Sequence, residues 1–369
     1  MNDNTIFIFD AHAGMKLSRD IILSDGSLLA PKDTVLTPSL IAKISSLHVL
    51  EINIYNEDED SAAQAERNAA LARTDADNIN YYERVRNSDE FKHFESEYNV
   101  NVDSVKDNLN SFLTAENNID TDTMVSGTMN ILSEARNSLQ MFDMLHAMRN
   151  KDDITFVHSV NVALIASIIG KWLNFNDEQI KTLTLAGLLH DIGKLLVPDN
   201  ILNKPDTLTD NEYEIMKHHV NLGYEQIKNK KLPLPVKEAI LLHHEKCDGS
   251  GYPFGLKSPD IPAVAKIITI ADVYDAMTAS RIYRAPICPF EVVKMMYQDA
   301  FTKFDPIYAI PFLKNVVASY IGTNVKLSDG RTGKVVLIND NALDKPIVQC
   351  GNDYVNLSKN SGLSIVSLM

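Results

Sequence analysis

Six of the ten histidines in this chain fall between positions 158 and 244, and one of them stands directly before an aspartate. A single histidine on an apolar helix is usually an ordinary core residue. Six in one helical region would be costly to bury without a common partner, because an unpaired imidazole loses its hydration inside a protein. A transition metal is such a partner. The six are His158, His190, His218, His219, His243 and His244.

The segment LAGLLHDIGKLLVP (185–198) places charged groups in an apolar frame. Its pattern predicts one buried helix that ends at Pro198. His190 and Lys194 would share a face of that helix, with Asp191 about 100° round it. An imidazole and a neighbouring carboxylate can converge on one cation, and the second carboxylate oxygen can bridge to another. Lys194 would then lie close enough to hold a phosphate oxygen.

Two further apolar helices are expected to carry one candidate ligand each. FVHSVNVALIASIIG (156–170) has His158 near its start, and VAKIITIADVYDAM (264–277) leads through three isoleucines to Asp272. A histidine, an HD pair and an aspartate on three buried helices supply four ligands from three directions. This pattern resembles the HD phosphohydrolase superfamily.

The stretch HHEKCDGSGYP (243–253) makes the resemblance more specific. With HDIGK before it and MKHHVNLGYEQI (216–227) between, the chain is similar to the HD-GYP family over about 170 residues. Within MKHHVNLG, His219 matches the family histidine, and His218 is expected to be a surface helix residue. Val220 replaces the family's usual proline, which is not a ligand position.

The resemblance implies a binuclear metal centre. One ion would be held by His158, His190, Asp191 and Asp272, and the second by Asp191 as a bridge together with His219, His243 and His244. Such a donor set suits Fe, Mn or Zn better than Mg or Ca, and iron comes first because it is frequent in the family. A third ion in some members uses a glutamate where this chain has Ile154, so two ions are expected.

The chemistry implied is phosphodiester hydrolysis. Two ions about 3.5–4 Å apart would share a hydroxide and place it for in-line attack, so no protein nucleophile is required. Asp191 and Lys194 are the catalytic candidates. The matching family positions imply that Tyr252, Arg281, Arg284 and Lys194 bind substrate, although by composition alone the two arginines could equally be solvated. Glu245, Asp248 and Asp275 are expected to orient imidazoles or the glycine-rich loop.

The function implied by the family is hydrolysis of cyclic di-GMP to pGpG, with further cleavage to GMP left open. Cyclic GMP-AMP is a close alternative substrate. The rivals are a receptor that binds cyclic di-GMP without cleaving it and an HD nucleotidase acting on mononucleotides. A scaffold that recruits diguanylate cyclases through the GYP loop is compatible with catalysis, and a homodimer is left open.

The fold class predicted is mainly α, an HD-type helical bundle with a small module at each end. Residues 1–56 mix β-like runs with an amphipathic stretch and predict a small α+β module. Residues 57–140 predict a polar helical connector of exposed or loosely packed helices, or a regulatory region. Residues 141–318 are the expected HD-GYP catalytic domain, and 319–369, with about five short strands, a small β-barrel-like module.

Composition narrows the possible partners. The net charge of −14 over 369 residues argues against nucleic acid or an anionic membrane. Three well-separated cysteines fit a reducing compartment. The start MNDNTIFIFD lacks a basic signal region, and apolar runs such as VALIASII (162–169) are short of a membrane span. We therefore expect a cytoplasmic protein.

Overall fold

The structure is a computed structural model in which most of the chain can be described. The described residues are 3–7, 11, 14–22, 27–37, 40–41, 43–44, 49, 51–55, 81–115, 120–148, 154–204, 208–278, 287–360 and 362–369. Arg281 and Arg284 lie outside them.

Helices dominate the described residues, and the strands lie near the two ends of the chain. In order, the first elements are β1 (Asp3–Phe7), β2 (Ile21–Ile22), β3 (Leu28–Ala30), β4 (Glu51–Tyr55), α1 (Asp89–Ala115), α2 (Thr121–Glu134), α3 (Ser138–Ala147), α4 (Ile154–Trp172) and α5 (Asp177–Leu189). There follow α6 (Asp199–Leu202), α7 (Asp210–Lys217), α8 (His219–Ile227), α9 (Leu234–Leu242), α10 (Ala263–Thr278), α11 (Pro289–Asp299), α12 (Pro306–Ser319), β5 (Asn324–Leu327), β6 (Thr332–Leu337), β7 (Ile347–Cys350), β8 (Asp353–Asn356) and β9 (Ile365–Leu368).

The chain divides into two compact units. The first comprises Met1–Leu71 and Leu196–His219, and the second Ala72–Leu195 and Val220–Met369. In the first unit, β1 pairs with β4 and β2 with β3, both antiparallel. Its small core includes Leu17, Leu36 and Ile52. The strands expected near the N-terminus are present as these minor strands.

In the second unit, α4 is a core helix. By length and composition alone its stretch Thr155–Trp172 could span a membrane, but 72% of it is buried inside the protein. Helix α5 packs against it so closely that a Cβ added to Gly187 would lie 2.5 Å from Ala163 Cα. Only glycine fits there. Because α4 carries His158 and His190 follows α5 directly, this close packing fixes the distance between the two histidines.

The prediction of one helix across 185–198 is wrong. The α-helix ends at Leu189, and a 3₁₀ turn, Ile192–Leu196, follows. The main-chain N–H of Lys194 donates to Asp191 O at 2.8 Å. A turn of three residues places side chains three apart above one another. The side chain of Lys194 therefore lies over that of Asp191.

Helix α1 is firmly packed, in contrast to the loose connector expected from its polar composition. Apolar side chains recur at helical spacing along one face, and all are at most 5% exposed: Phe91, Phe94, Tyr98, Val102, Val105, Leu109 and Phe112. This face lies against α2 and α4. An amphipathic helix gains most of its stability from such burial, so α1 is part of the helical core of the second unit.

The C-terminal strands form one five-stranded antiparallel sheet. Their order is β8-β7-β6-β5-β9. The last strand returns to pair with β5, with Leu368 opposite Val325. Both side chains are fully buried, because residues directly opposite each other on neighbouring strands lie on the same face of the sheet. The prediction of a mainly helical protein with a small β module at its C-terminus is confirmed.

Candidate metal centre

Three helices bring the first group of candidate ligands together. His158 comes from α4, His190 follows α5, and Asp272 comes from α10. One donor atom from each lies within 4.8 Å of the others, a spacing that could hold a metal ion. His158 Nε2 is 3.0 Å from Asp272 Oδ1. The sequence predicted this convergence from three separate buried helices.

The second group consists of Asp191, His219, His243 and His244, whose donor atoms again lie within 4.8 Å of one another. His243 ends α9 as its C-terminal cap. His219 is the first residue of α8. The two His/Asp groups are consistent with a binuclear metal site.

Asp191 lies between the two groups. Its Oδ2 is 3.2 Å from His190 Nε2 and 3.6 Å from His158 Nε2. Its Oδ1 is 3.7 Å from His243 Nε2. The carboxylate is 1% exposed, and Lys194 Nζ donates to Oδ2 at 2.6 Å. A carboxylate with one oxygen toward each group has the geometry of a bridging ligand.

The hydrogen bonds behind the imidazoles decide which nitrogen faces the centre. His190, His219 and His243 bond through Nδ1 to main-chain carbonyls at 2.7 to 3.2 Å, and His158 Nδ1 lies 2.7 Å from Asp275 Oδ2. A carbonyl can only accept, so Nδ1 of His190, His219 and His243 carries a proton, and Nε2 of each ring is left to face the centre. This is the arrangement that metal-binding histidines require.

A buried polar atom provides a second test of whether these residues suit a metal. His190 Nε2 is fully buried and makes no hydrogen bond within the described structure, although Asp191 lies beside it. A buried polar atom without a hydrogen bond is costly. A cation among the imidazoles and carboxylates would remove that cost, so the residues present fit a transition metal.

The electrostatics around His158 favour positive charge. Burial alone would lower the pKa of His158, but the hydrogen bonds and charges of Asp272 and Asp275 outweigh it and raise the pKa to about 10. Burial would raise the pKa of Asp272, yet the bond to His158 holds it well below its usual value. Two carboxylates thus stabilise a cation at this imidazole, either a proton or a metal ion that replaces it.

The glycine-rich loop (249–256), called the GYP loop below, packs against His244. The ring of Tyr252 stacks on His244 at 4.7 Å with an interplanar angle of 24°. Glu245 is 2% exposed, and its two oxygens accept the main-chain N–H groups of Phe254 (2.7 Å) and Leu256 (2.8 Å). A Cβ on Gly251 would collide with the backbone of residues 244–246. The expectation that Glu245 anchors this loop agrees with these contacts.

The other candidates fall into four classes. Lys194 lies beside the centre, with a side chain that is 24% exposed. His218 is exposed at the end of α7, as expected. Asp248 accepts hydrogen bonds from Ser250 within the loop. Arg281 and Arg284 fall outside the described residues.

Sequence reasoning missed two polar side chains near the centre, Asn161 and Tyr98. Asn161 lies three residues after His158 on the same face of α4, and this spacing could have identified it. Tyr98 lies on α1, and nothing in the sequence indicates its contact with α4.

Comparison with known proteins agrees with this geometry. Residues 135–307 match the family model described as the HD domain. The chain contains an HD domain.

The cyclic di-GMP phosphodiesterase PA4108 of Pseudomonas aeruginosa is 36% identical over 203 residues, which are 55% of this chain and 49% of that protein. A cyclic di-GMP phosphodiesterase of Thermotoga maritima is 33% identical over 193 residues, 52% of this chain and 50% of that protein. The HD domain is thus related to HD-GYP cyclic di-GMP phosphodiesterases.

Other relatives differ in their named substrate. The 3'3'-cGAMP-specific phosphodiesterase 1 of Vibrio cholerae is 39% identical over 153 residues, 42% of this chain and 36% of that protein. The chain spans half or less of the length of these three relatives. Among solved structures, Bd1817, an HDG"Y"P protein from Bdellovibrio bacteriovorus, has a TM-score of 0.52 at 18% identity, covering 86% of this chain and 99% of that one. This last likeness concerns the fold alone.

Proposed function

We propose that the protein is a metal-dependent phosphodiesterase that hydrolyses cyclic di-GMP to pGpG, with GMP as a further product. The observation that carries this proposal is the pair of His/Asp groups, with one oxygen of Asp191 directed toward each. Five imidazoles and two carboxylates in two adjacent groups match the needs of two transition-metal ions. Relatives named as cyclic di-GMP phosphodiesterases support the choice of substrate.

The ligand roles follow the two groups. His158, His190 and Asp272 would hold one ion together with Asp191, and His219, His243 and His244 would hold the other with the opposite oxygen of Asp191. Iron is the metal proposed first, with manganese or zinc as alternatives. When bound, the two ions would supply Lewis acidity and a water-derived nucleophile at neutral pH. The protein's own part is to fix the seven side chains and the direction of each imidazole.

Lys194 has the placement of a phosphate-binding group. Its ammonium donates to Asp191, which tethers it beside the centre, and a quarter of its side chain reaches solvent. A tethered cation at the edge of a buried site can hold a phosphoryl oxygen and stabilise charge that develops there. We therefore propose Lys194 and Asp191 as the catalytic residues next to the ions.

The remaining substrate contacts are proposed from the motif. Tyr252 lies flat on His244 at the edge of the centre, so its ring could contact a guanine base. Arg281 and Arg284 follow α10 in the chain and are proposed to bind phosphates and guanine. A chain with a net charge of −14 repels a dianionic substrate over most of its surface. Local cations such as these are needed to hold it.

The domain organisation and the partners belong to the same proposal. Residues 141–318 would form the catalytic domain of a cytoplasmic protein. Along the chain, residues 1–56 and 57–140 precede this domain and residues 319–369 follow it.

Phe254, in the GYP loop, is 62% exposed. An exposed aromatic side chain suits a contact with another protein, and diguanylate cyclases are the partners proposed for it. A homodimer is compatible with this organisation.

Cyclic GMP-AMP is the second candidate substrate. A relative named as specific for 3'3'-cGAMP is 39% identical to this chain, as close as those named for cyclic di-GMP. The metal centre would bind and hydrolyse the phosphodiester groups of both substrates in the same way. Discrimination would have to come from contacts to the bases.

Assay of metal-loaded protein against a panel of nucleotides tests the proposal. The panel contains cyclic di-GMP, cyclic GMP-AMP and a set of deoxynucleoside monophosphates. We expect cyclic di-GMP to give pGpG fastest, with loss of turnover after chelation and return on adding metal. Tight binding without any product would identify a receptor. Turnover of monophosphates alone would identify a nucleotidase and overturn the proposal.

A further inference from the structure

A continuous chain of hydrogen bonds runs from helix α1 to the proposed ligand His158. Tyr98 Oη donates to Asn161 Oδ1 at 2.6 Å, and Asn161 Nδ2 donates to Asp275 Oδ1 at 2.8 Å. The other oxygen of Asp275 lies 2.7 Å from His158 Nδ1. Tyr98 is fully buried, and Asn161 and Asp275 are each 5% exposed.

Each bond in this chain has a fixed direction. Burial, and after it the negative charge of Asp275, raise the pKa of Tyr98 well above its usual value, so its hydroxyl remains a donor. That donor fixes Asn161 with its oxygen toward Tyr98 and its NH₂ group toward Asp275. Asp275 then receives one hydrogen bond on each oxygen, from Asn161 and from His158. Nδ1 of His158 is thus oriented toward Asp275, and Nε2 is turned toward Asp272.

The spacing of these residues makes the network a second layer behind the metal centre. His158 and Asn161 are three residues apart on α4, and Asp272 and Asp275 are three residues apart on α10, so each pair shares one helix face. The members nearer the centre are the two proposed ligands. The outer members, Asn161 and Asp275, are hydrogen-bonded to each other, and Asn161 also accepts the hydrogen bond from Tyr98 of α1. Tyr98 also lies 3.1 Å from the main-chain oxygen of Val157, next to His158.

We propose that Tyr98 is a positioning residue that couples helix α1 to the metal centre by fixing the orientation of His158. This inference rests on the proposed metal centre. Tyr98 lies upstream of residues 135–307, which match the HD-domain model, so the contact is supplied by a helix outside that region. A shift of α1 that moved the Tyr98 hydroxyl would weaken metal binding without touching a ligand. The N-terminal part of the chain would thus have a route to control activity.

Metal affinity is the direct test of this coupling. The substitution Tyr98→Phe removes only the hydroxyl. Removing one net hydrogen bond corresponds to about a 2- to 10-fold change in an equilibrium constant. We therefore expect Mn²⁺ to bind about 2- to 10-fold more weakly to metal-free protein, measured by competition with a chelator, and the absorption spectrum of bound Co²⁺ to change.

Tyr82→Phe is the matched control. Tyr82 is also fully buried upstream of the HD region, and its hydroxyl lies 3.3 Å from His146 Nδ1. It has no role in the proposed centre. We expect this variant to lose a comparable amount of thermal stability in the metal-free state while binding Mn²⁺ like the wild type. Equal affinity in wild type and Tyr98→Phe, or equal weakening in both variants, would overturn the inference.

A second variant covers the case in which Tyr98→Phe does not fold. Asn161→Ala removes the amide without adding bulk and breaks the link to Asp275, and loss of an outer contact of this kind typically weakens metal binding about 10- to 100-fold. Wild-type affinity in this variant would also overturn the inference. A wild type that binds metal but cleaves no cyclic dinucleotide would refute the proposed function and leave the coupling standing. A wild type that binds no metal would overturn both.

Discussion

Replacing Glu245 with glutamine tests the clamp that holds the GYP loop, by which we mean the two hydrogen bonds that the Glu245 carboxylate accepts from the loop. Glu245 is almost fully buried, and its two oxygens accept the main-chain N–H groups of Phe254 and Leu256. In Glu245→Gln one of these oxygens becomes an NH₂ group, which is a donor facing a main-chain donor. One half of the clamp is lost, and a buried N–H group is left facing another donor.

The size of the effect follows from that geometry. A hydrogen bond to a charged group contributes about 1.5–3 kcal/mol net, and about 1.4 kcal/mol is a factor of ten in an equilibrium constant. We expect the loop to open about 10- to 100-fold more often in the variant. Tyr252 is carried on this loop, so its stacking on His244 should be lost with the same frequency. KM for cyclic di-GMP should rise more than kcat falls.

Hydrogen–deuterium exchange of the native protein measures the loop directly. Peptides that cover 249–256 should exchange faster in Glu245→Gln, while peptides from α4 should not change. Glu225→Gln is the control, because Glu225 is 59% exposed and its ion pair within the described residues is with Lys228, directly after α8. Unchanged exchange in the loop, or the same acceleration in the control, would refute the role assigned to Glu245.

Three further predictions test separate parts of the account. Gly251→Ala should displace the loop from His244 and raise KM, whereas Gly362→Ala, whose added Cβ would meet no atom within 4 Å, should be neutral in the same assay. Lys194→Ala should keep its metal content and lose about 10²- to 10³-fold in kcat; loss of metal by elemental analysis would instead make it a structural residue. Burial raises the pKa of Asp143 from 3.8 to about 7. The native state therefore binds the carboxyl proton of Asp143 more tightly than the unfolded state does, and the stability that this proton gives is lost as the pH rises toward 7. The free energy of unfolding of metal-free Asp143→Asn, measured in urea, should therefore rise relative to that of the wild type between about pH 5 and about pH 7.5. Parallel pH profiles of the two proteins would contradict this.

Much of the candidate site could be predicted from spacing along the chain. Apolar helical patterns around His158 and Asp272 indicate that both lie on buried helices, and burial of several polar groups implies a shared partner. Residues three apart share a helix face, so Asp275 and Asn161 were within reach of the same reasoning. The five C-terminal strands were visible because each short apolar run is bounded by turn residues.

The rest depended on contacts between distant parts of the chain. Tyr98 and His158 are separated by sixty residues, and only the packing of α1 against α4 brings them together. The break after Leu189 was also hidden, because leucines at 195 and 196 continue the apolar pattern through a 3₁₀ turn as well as through an α-helix. The loose connector predicted from polar composition failed for a related reason. The seven buried apolar side chains of α1 form one stripe, and such a stripe does not show when composition is averaged over all faces of the helix.

The metal stoichiometry of anaerobically purified, metal-loaded protein tests the central claim most directly. Seven side chains in two groups that share one carboxylate predict two transition-metal ions per chain in the wild type. Asp191→Asn, which keeps the shape of the shared side chain but removes its charge, should retain fewer. Two ions in the wild type and a clear loss in the variant would support the account. A wild type that retains no transition metal after loading, or a variant that still holds two ions, would contradict it.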